Sequence, residues 1–189
     1  MNRLSPITDD DATEEQRAVR EAIIATRGPR MVGPDGALVG PFNAMVASPT
    51  IGRRFAELGA AVRSDSSLPD DLLELAICTT GAHWRSEFEW WAHRRLGVEA
   101  GLDPEELDEI AAGRTPDFES SARRAVHELT VELLTTQRVS GPTWDASAAH
   151  LDQGQLVDLV TTIGYYCLIS SVLNTFEVPL PDGIEPVWE

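Results

Sequence analysis

Cysteine is scarce in this chain of 189 residues: there are two, Cys78 and Cys167, far apart and each in an apolar context. That excludes a disulfide framework and gives no zinc-ligand spacing. Both read as small buried hydrophobes. Positive charge is also short, with 15 basic against 31 acidic residues and a net charge of −16. Such a chain repels polyanions, so nucleic-acid binding is excluded as a function class. No apolar run approaches the roughly 18–20 residues of a membrane span, so no membrane is expected. The first ten residues lack the apolar core of a signal peptide, which points to the cytoplasm. Period-two alternation is missing throughout, and with it any strand signal.

What is there reads as helices. The segment Thr13-Glu14-Glu15-Gln16 is a capping box opening a helix that runs to about Arg27. Residues 28–40 form a Gly- and Pro-rich loop; no Gly-Lys-Ser/Thr follows, so it is not a phosphate loop. Pro41 starts a short helix. Ser48-Pro49 opens the next, in which Ile51, Phe55, Leu58 and Val62 recur as one face. Pro69-Asp70-Asp71 opens a helix carrying Glu74, with its acids at the positive end of the dipole. The following helix carries Glu89 and His93 and stops at Gly101, a left-handed cap. Further helices are expected over 104–113, 116–137 on Ala122, Val126, Leu129 and Leu133, 143–151, and 153–176. The last is apolar nearly all round from Leu156 to Leu173, as a central or interface helix would be. The fold class is all-α, about eight helices in one domain over residues 1–189.

Within this frame one stretch stands out: Ser86-Glu87-Phe88-Glu89-Trp90-Trp91-Ala92-His93. Ser86, Glu89 and His93 lie three and four residues apart and share a helix face. Their wheel neighbours are Trp90, Leu96, Gly97 and Ala100, so the ionisable pair falls in the stripe expected to be buried. Gly97 removes a side chain where a ligand could sit. Burial of an acid and an imidazole is costly unless they are partnered or used. Upstream, Glu74 is a lone carboxylate in the apolar run 72–78 and shares its face with Ile77, Cys78 and Gly81. Unpaired, a buried glutamate there would hold its proton more tightly than usual, as a general acid does. A carboxylate against an imidazole fixes the tautomer and raises basicity. The competing reading of Glu89 and His93 is an ordinary i,i+4 surface pair worth a few tenths of a kcal/mol. Among the arginines, Arg53, Arg54, Arg85, Arg94 and Arg95 could form a local positive patch for an anionic substrate; solvated or ion-paired surface charges are the blander alternative. Trp90 can line a pocket beside the trio, whereas Phe88 and Trp91 fall on the other side of the helix. Tyr165 and Tyr166 would reach a pocket only if the last helix packs there. His127 and His150 read as structural. Glu74, Glu89 and His93 lack a second Glu-x-x-His unit, so no metal site is expected.

The spacing Glu74, Ser86, Glu89, His93 resembles the carboxymuconolactone decarboxylase family, which includes the AhpD-type alkylhydroperoxidases. Those peroxidases carry a glutamate followed by Cys-x-x-Cys-x-x-x-His at this spacing. Here Glu74 and His93 match, while Ser86 and Glu89 stand at the two cysteine positions, as in the branch without the cysteine pair. The resemblance extends over residues 40–180, including Gly40-Pro41-Phe42-Asn43, Ser48-Pro49 and Gly164-Tyr165-Tyr166, and leaves 1–39 as an N-terminal helix and loop. It implies an AhpD-like helical bundle and a cofactor-free decarboxylase acting by proton transfer on a small carboxylated lactone or related acid. Glu74, Glu89 and His93 would be catalytic and Ser86, Trp90 and Cys78 would bind substrate. It also implies a homo-oligomer: dimer, trimer or hexamer. Two alternatives are an AhpD-like peroxidase, disfavoured because a serine forms neither sulfenic acid nor disulfide, and a non-catalytic helical oligomer or ligand-binding protein.

Overall fold

The computed structural model describes residues 2–188. It is all-α: nine α-helices and one 3-10 turn, with no strand beyond a single Val32–Leu38 bridge, among the described residues. The helices are α1 (Glu14–Arg27), α2 (Phe42–Ala47), α3 (Pro49–Ser64), α4 (Asp70–His83), α5 (Glu87–Glu99), α6 (Pro104–Ala111), α7 (Ser121–Thr136), α8 (Gly141–Ala148) and α9 (Gln153–Thr175). They form two compact units, residues 1–65 with 172–179, and residues 66–171 with 180–189.

In the first unit α1 starts as its sequence requires. The Thr13 hydroxyl accepts from the Gln16 amide while the Gln16 side chain accepts from the Thr13 amide. Helix α1 packs on α2 and α3. Arg20, buried to 5% exposure, donates to the Gly36 carbonyl at 2.7 Å and so ties the Gly-rich loop to α1. The side chain of Asn43 accepts from the Ile7 amide and donates to the Ser5 carbonyl, fixing the N-terminal segment. Arg3 does the same for the far end, donating to the carbonyls of Phe176 and Thr175 and pairing with Glu177.

The expected face of α3 forms only in part, with Val62 buried and Phe55 half-buried. Ile51 and Leu58 are exposed, and the buried positions are Gly52, Gly59 and Val62. The reason is steric. A Cβ at Gly52 would stand 1.8 Å from the Met45 carbonyl oxygen of α2, so the two helices meet backbone to backbone on a glycine seam.

In the second unit α4 is the central element. Every residue from Leu72 to Gly81 is buried, and α5, α6 and α7 pack around it. Its start is fixed by Asp158 of α9, which accepts from the Ser67 amide and hydroxyl, both at 2.8 Å. Helix α7 begins at Ser121, later than its apolar period suggests, because Ser120 is the N-cap and accepts from the Arg123 amide. Its buried face is Ala125, Val126, His127, Leu129 and Thr130, and the expected Ala122 and Leu133 are only half-buried. Helix α8 starts two residues before and ends three residues before the expected 143–151.

Helix α9 corrects the reading that no segment reaches membrane-span length. Within its 23 residues an 18-residue stretch has a mean hydropathy of 1.7, so the helix is long and apolar enough to cross a membrane by length and composition. Half of that stretch is buried within the protein, as core helices of this composition are.

Candidate functional site

Two helices bring the ionisable groups together. Glu74 projects from the middle of α4, and Glu89 and His93 from successive turns of α5. The connection is short. The Ser86 amide donates to the Gly81 carbonyl at 2.9 Å, and Arg85 takes a left-handed φ of 46° to make that turn. Gly81 faces the Glu89 side chain, where a Cβ would find the Glu89 Cβ and Cγ at 3.8 Å, so the small residue lets α5 lie close on α4.

His93 is held on both sides. Its Nδ1 lies 2.7 Å from Glu74 Oε2 and its Nε2 lies 2.9 Å from Glu89 Oε1. All three residues are buried, at 4%, 5% and 8% exposure for Glu74, Glu89 and His93. The i,i+4 surface pair is therefore not what forms: the imidazole bridges two interior carboxylates. Burial alone would push the His93 pKa down, but the neighbouring Glu89 and Glu74 charges and their hydrogen bonds outweigh it and raise it above 6.5. The two carboxylates thus favour the imidazolium more than water does. The stabilisation from this pairing is fully present below pH 6.5 and is lost as pH rises through the higher folded value.

His127 behaves oppositely. It is buried at the centre of α7 beside Phe118, with Nδ1 lacking a hydrogen-bond partner, and desolvation lowers its pKa to about 4. An NMR titration is expected to show the His93 ring titrating above 6.5 and the His127 ring near 4. A His93 midpoint below 6.5 would contradict the charged bridge.

The remaining sequence candidates fall at different depths. Ser86 is fully buried at the N-cap of α5, yet its hydroxyl caps nothing and has no hydrogen-bond partner. Cys78 is 1% exposed, and desolvation followed by the Glu74 and Glu89 charges raises its thiol pKa well above 9.0. Gly97 does not leave room for a ligand. A Cβ there would meet Leu102 at 3.1 Å, Leu107 at 3.6 Å and the Cys78 sulfur at 3.7 Å, so the missing side chain serves helix packing. Trp90 is buried and lines a cavity of about 440 Å³ with Arg94, Asp108 and Trp188. Phe88 and Trp91 pack edge to face at 5.3 Å, with Trp91 40% exposed. Three of the candidate arginines are tied to carboxylates: Arg54 to Glu57, Arg94 to Asp108 and Arg95 to Glu99. No cluster of three His, Cys, Asp or Glu suited to a metal ion occurs among the described residues.

Two further participants come from distant sequence. Tyr166 of α9 sets its ring edge-on to His93 at 5.0 Å, with Tyr165 against it at 5.4 Å. The tyrosine pair was visible in the sequence, but its packing partner was not. Trp188 sets its indole edge-on to Trp90 at 5.4 Å, and nothing in the spacing of that tail signals it.

Residues 49–132, spanning α3 to α7, match the carboxymuconolactone decarboxylase family. No curated protein matches the chain. Among solved structures, the AhpD core of a peroxidase-related protein from Ralstonia eutropha superposes with a TM-score of 0.75 at 16% identity, over 96% of this chain and 93% of that one. A peroxidase-related protein from a Silicibacter species gives 0.73 at 10% identity, over 94% and 91%. The debrominase Bmp8 gives 0.71 at 12% identity, also over 94% and 91%. At these identities the likeness is one of fold.

Proposed function

We propose, for a chain whose residues 49–132 match the carboxymuconolactone decarboxylase family and whose fold is like that of AhpD-type proteins, a cofactor-free acid–base reaction: decarboxylation of a small carboxylated lactone or related acid. The observation that carries this reading is the His93 imidazole clamped between Glu74 and Glu89 in the protein interior, with no cysteine in the motif.

The chemistry follows from the geometry. Loss of carbon dioxide breaks a carbon–carbon bond and leaves its electron pair on carbon, delocalised into the lactone carbonyl. That carbon then needs a proton. The imidazolium is the proton store, and Glu74 at Nδ1 fixes the ring. Both ring nitrogens are engaged, so the proton reaches substrate by way of Glu89, and the imidazole is recharged from solvent. The sequence contains no lysine, which closes the alternative of a lysine Schiff base as electron sink.

A thiol peroxidase has less support. The Cys78 sulfur is sealed and held as a thiol by burial, and a thiolate is the reactive form. The exposed apolar positions Val157, Val160 and Leu168 of α9 support assembly with further copies of the chain.

The test is a panel of small carboxylated lactones scored by carbon dioxide release. Glu89→Gln is expected to lower kcat by about 10²–10⁴-fold while the protein stays folded. Silence across the panel from folded protein, or full turnover by Glu89→Gln, would count against the reading.

A further inference from the structure

The Glu74–His93–Glu89 cluster is closed to a molecule of lactone size. Side-chain exposure is 5% for Glu74, 6% for Glu89 and 10% for His93. Something must move to admit substrate, and α5 shows where. At about 100° per residue, the positions follow one another around the helix as Glu89, His93, Gly97, Trp90, Arg94 and Glu87. Trp90 therefore stands between His93 and the side on which Arg94 reaches Asp108 of α6.

That side holds the 440 Å³ cavity, a volume at the lower end of the range for small-molecule sites. Part of its wall is not a helix. It is the C-terminal tail, whose residues 182–187 are exposed. The tail is held to the helices at its far end, by Glu87 of α5 and Ala111 of α6. The Glu87 carboxylate accepts from the Val187 amide at 2.8 Å and the Trp188 amide at 2.5 Å. The Trp188 indole N–H donates to the Ala111 carbonyl at 2.9 Å, and its ring packs edge-on against Trp90. A segment with exposed backbone and few buried contacts opens at low free energy, whereas the helices on either side do not.

We propose that this cavity is the approach to the cluster and that Trp188 is its movable wall, which on swinging out frees Trp90 and lets a small ring reach His93. The proposal rests on the reading of the cluster as the reactive site, and it makes Trp188 and Glu87 determinants of which substrates enter.

The test measures access rather than turnover. Full-length protein is treated with diethyl pyrocarbonate at mildly alkaline pH, and acylation of each histidine is followed by peptide mass spectrometry. His83 and His150, both exposed, calibrate the reagent, and buried His127 reports on general loosening. Trp188→Ala is expected to speed acylation of His93 by about tenfold, with His127 unchanged, as local opening of the tail would give. Trp188→Phe keeps an aromatic edge against Trp90 and should stay within about twofold of the parent; Glu87→Gln, which weakens the pinning, should fall between. An unchanged His93 rate in Trp188→Ala overturns the proposal, and so does a parallel rise at His127. The two readings fail separately. A silent lactone panel leaves the access result intact, and an unchanged His93 rate leaves the proton-transfer reading standing.

Discussion

Replacing His93 by alanine is expected to destabilise the protein by about 3–5 kcal/mol, the range for removing one partner of a buried ion pair, and to lower turnover by about 10²–10⁴-fold. The stability loss comes from what is left behind. Glu74 and Glu89 converge on one imidazole from two helices, 2.7 and 2.9 Å from its nitrogens. Without the ring, two carboxylates share a dry interior with no cation between them, and like charges at that range cannot both stay ionised. The variant should therefore take up a proton on folding and gain stability as pH falls. The parent has the same sign in a different window: its His93 contribution is fully present below pH 6.5 and disappears as pH rises through the raised pKa, whereas the variant's proton uptake begins from the lower carboxylate range. Urea denaturation of parent and variant at several pH values separates these outcomes. A His93→Ala protein with the parent's midpoint at every pH would mean that the bridge carries no charge.

Gly52→Ala is expected to destabilise by about 4–5 kcal/mol or more, the exceptional end of the range for point changes, to which core overpacking belongs. The added Cβ would sit 1.8 Å from the Met45 carbonyl oxygen and 2.5 Å from its carbonyl carbon. Both are backbone atoms, so no rotamer change relieves the overlap, and α2 must separate from α3. Gly164→Ala is the matched control. Nothing lies within 4 Å of its Cβ position in α9, so replacing glycine inside a helix should stabilise by about 0.5–1 kcal/mol. Thermal melts of the two variants should move in opposite directions. A Gly52→Ala protein that melts with the parent would show that α2 and α3 do not meet backbone to backbone at Gly52.

Much of this was legible in the sequence, and the failures share a cause. Capping boxes and left-handed glycines are local devices. Thr13 with Gln16 and Gly101 at φ +96° accordingly appear where their spacing puts them. Glu74, Glu89 and His93 were legible for a related reason. An ionisable group in an apolar stripe is an anomaly of pattern, and the pattern is fixed by the helical period. What the period cannot supply is the identity of the neighbour. The face of α3 was misplaced in part because Ile51 and Leu58 look like core residues, while the actual contact is made by a glycine against backbone. Gly97 looked like room for a ligand because Leu102, Leu107 and Cys78, which fill that space, come from other elements. Tyr166 reaches His93 from 73 positions further along the chain (166 − 93) and Trp188 reaches Trp90 from 98 (188 − 90), and no short-range signal encodes a contact at that separation.

The sealed sulfur at Cys78 has a practical side. Its partner in the sequence, Cys167, is half-buried and also has its pKa raised by burial, so neither thiol ionises readily. Oxidants and alkylating agents attack the thiolate. A preparation of this protein should therefore keep in air without a reducing agent, and a loss of performance on storage would have to be sought somewhere other than sulfur.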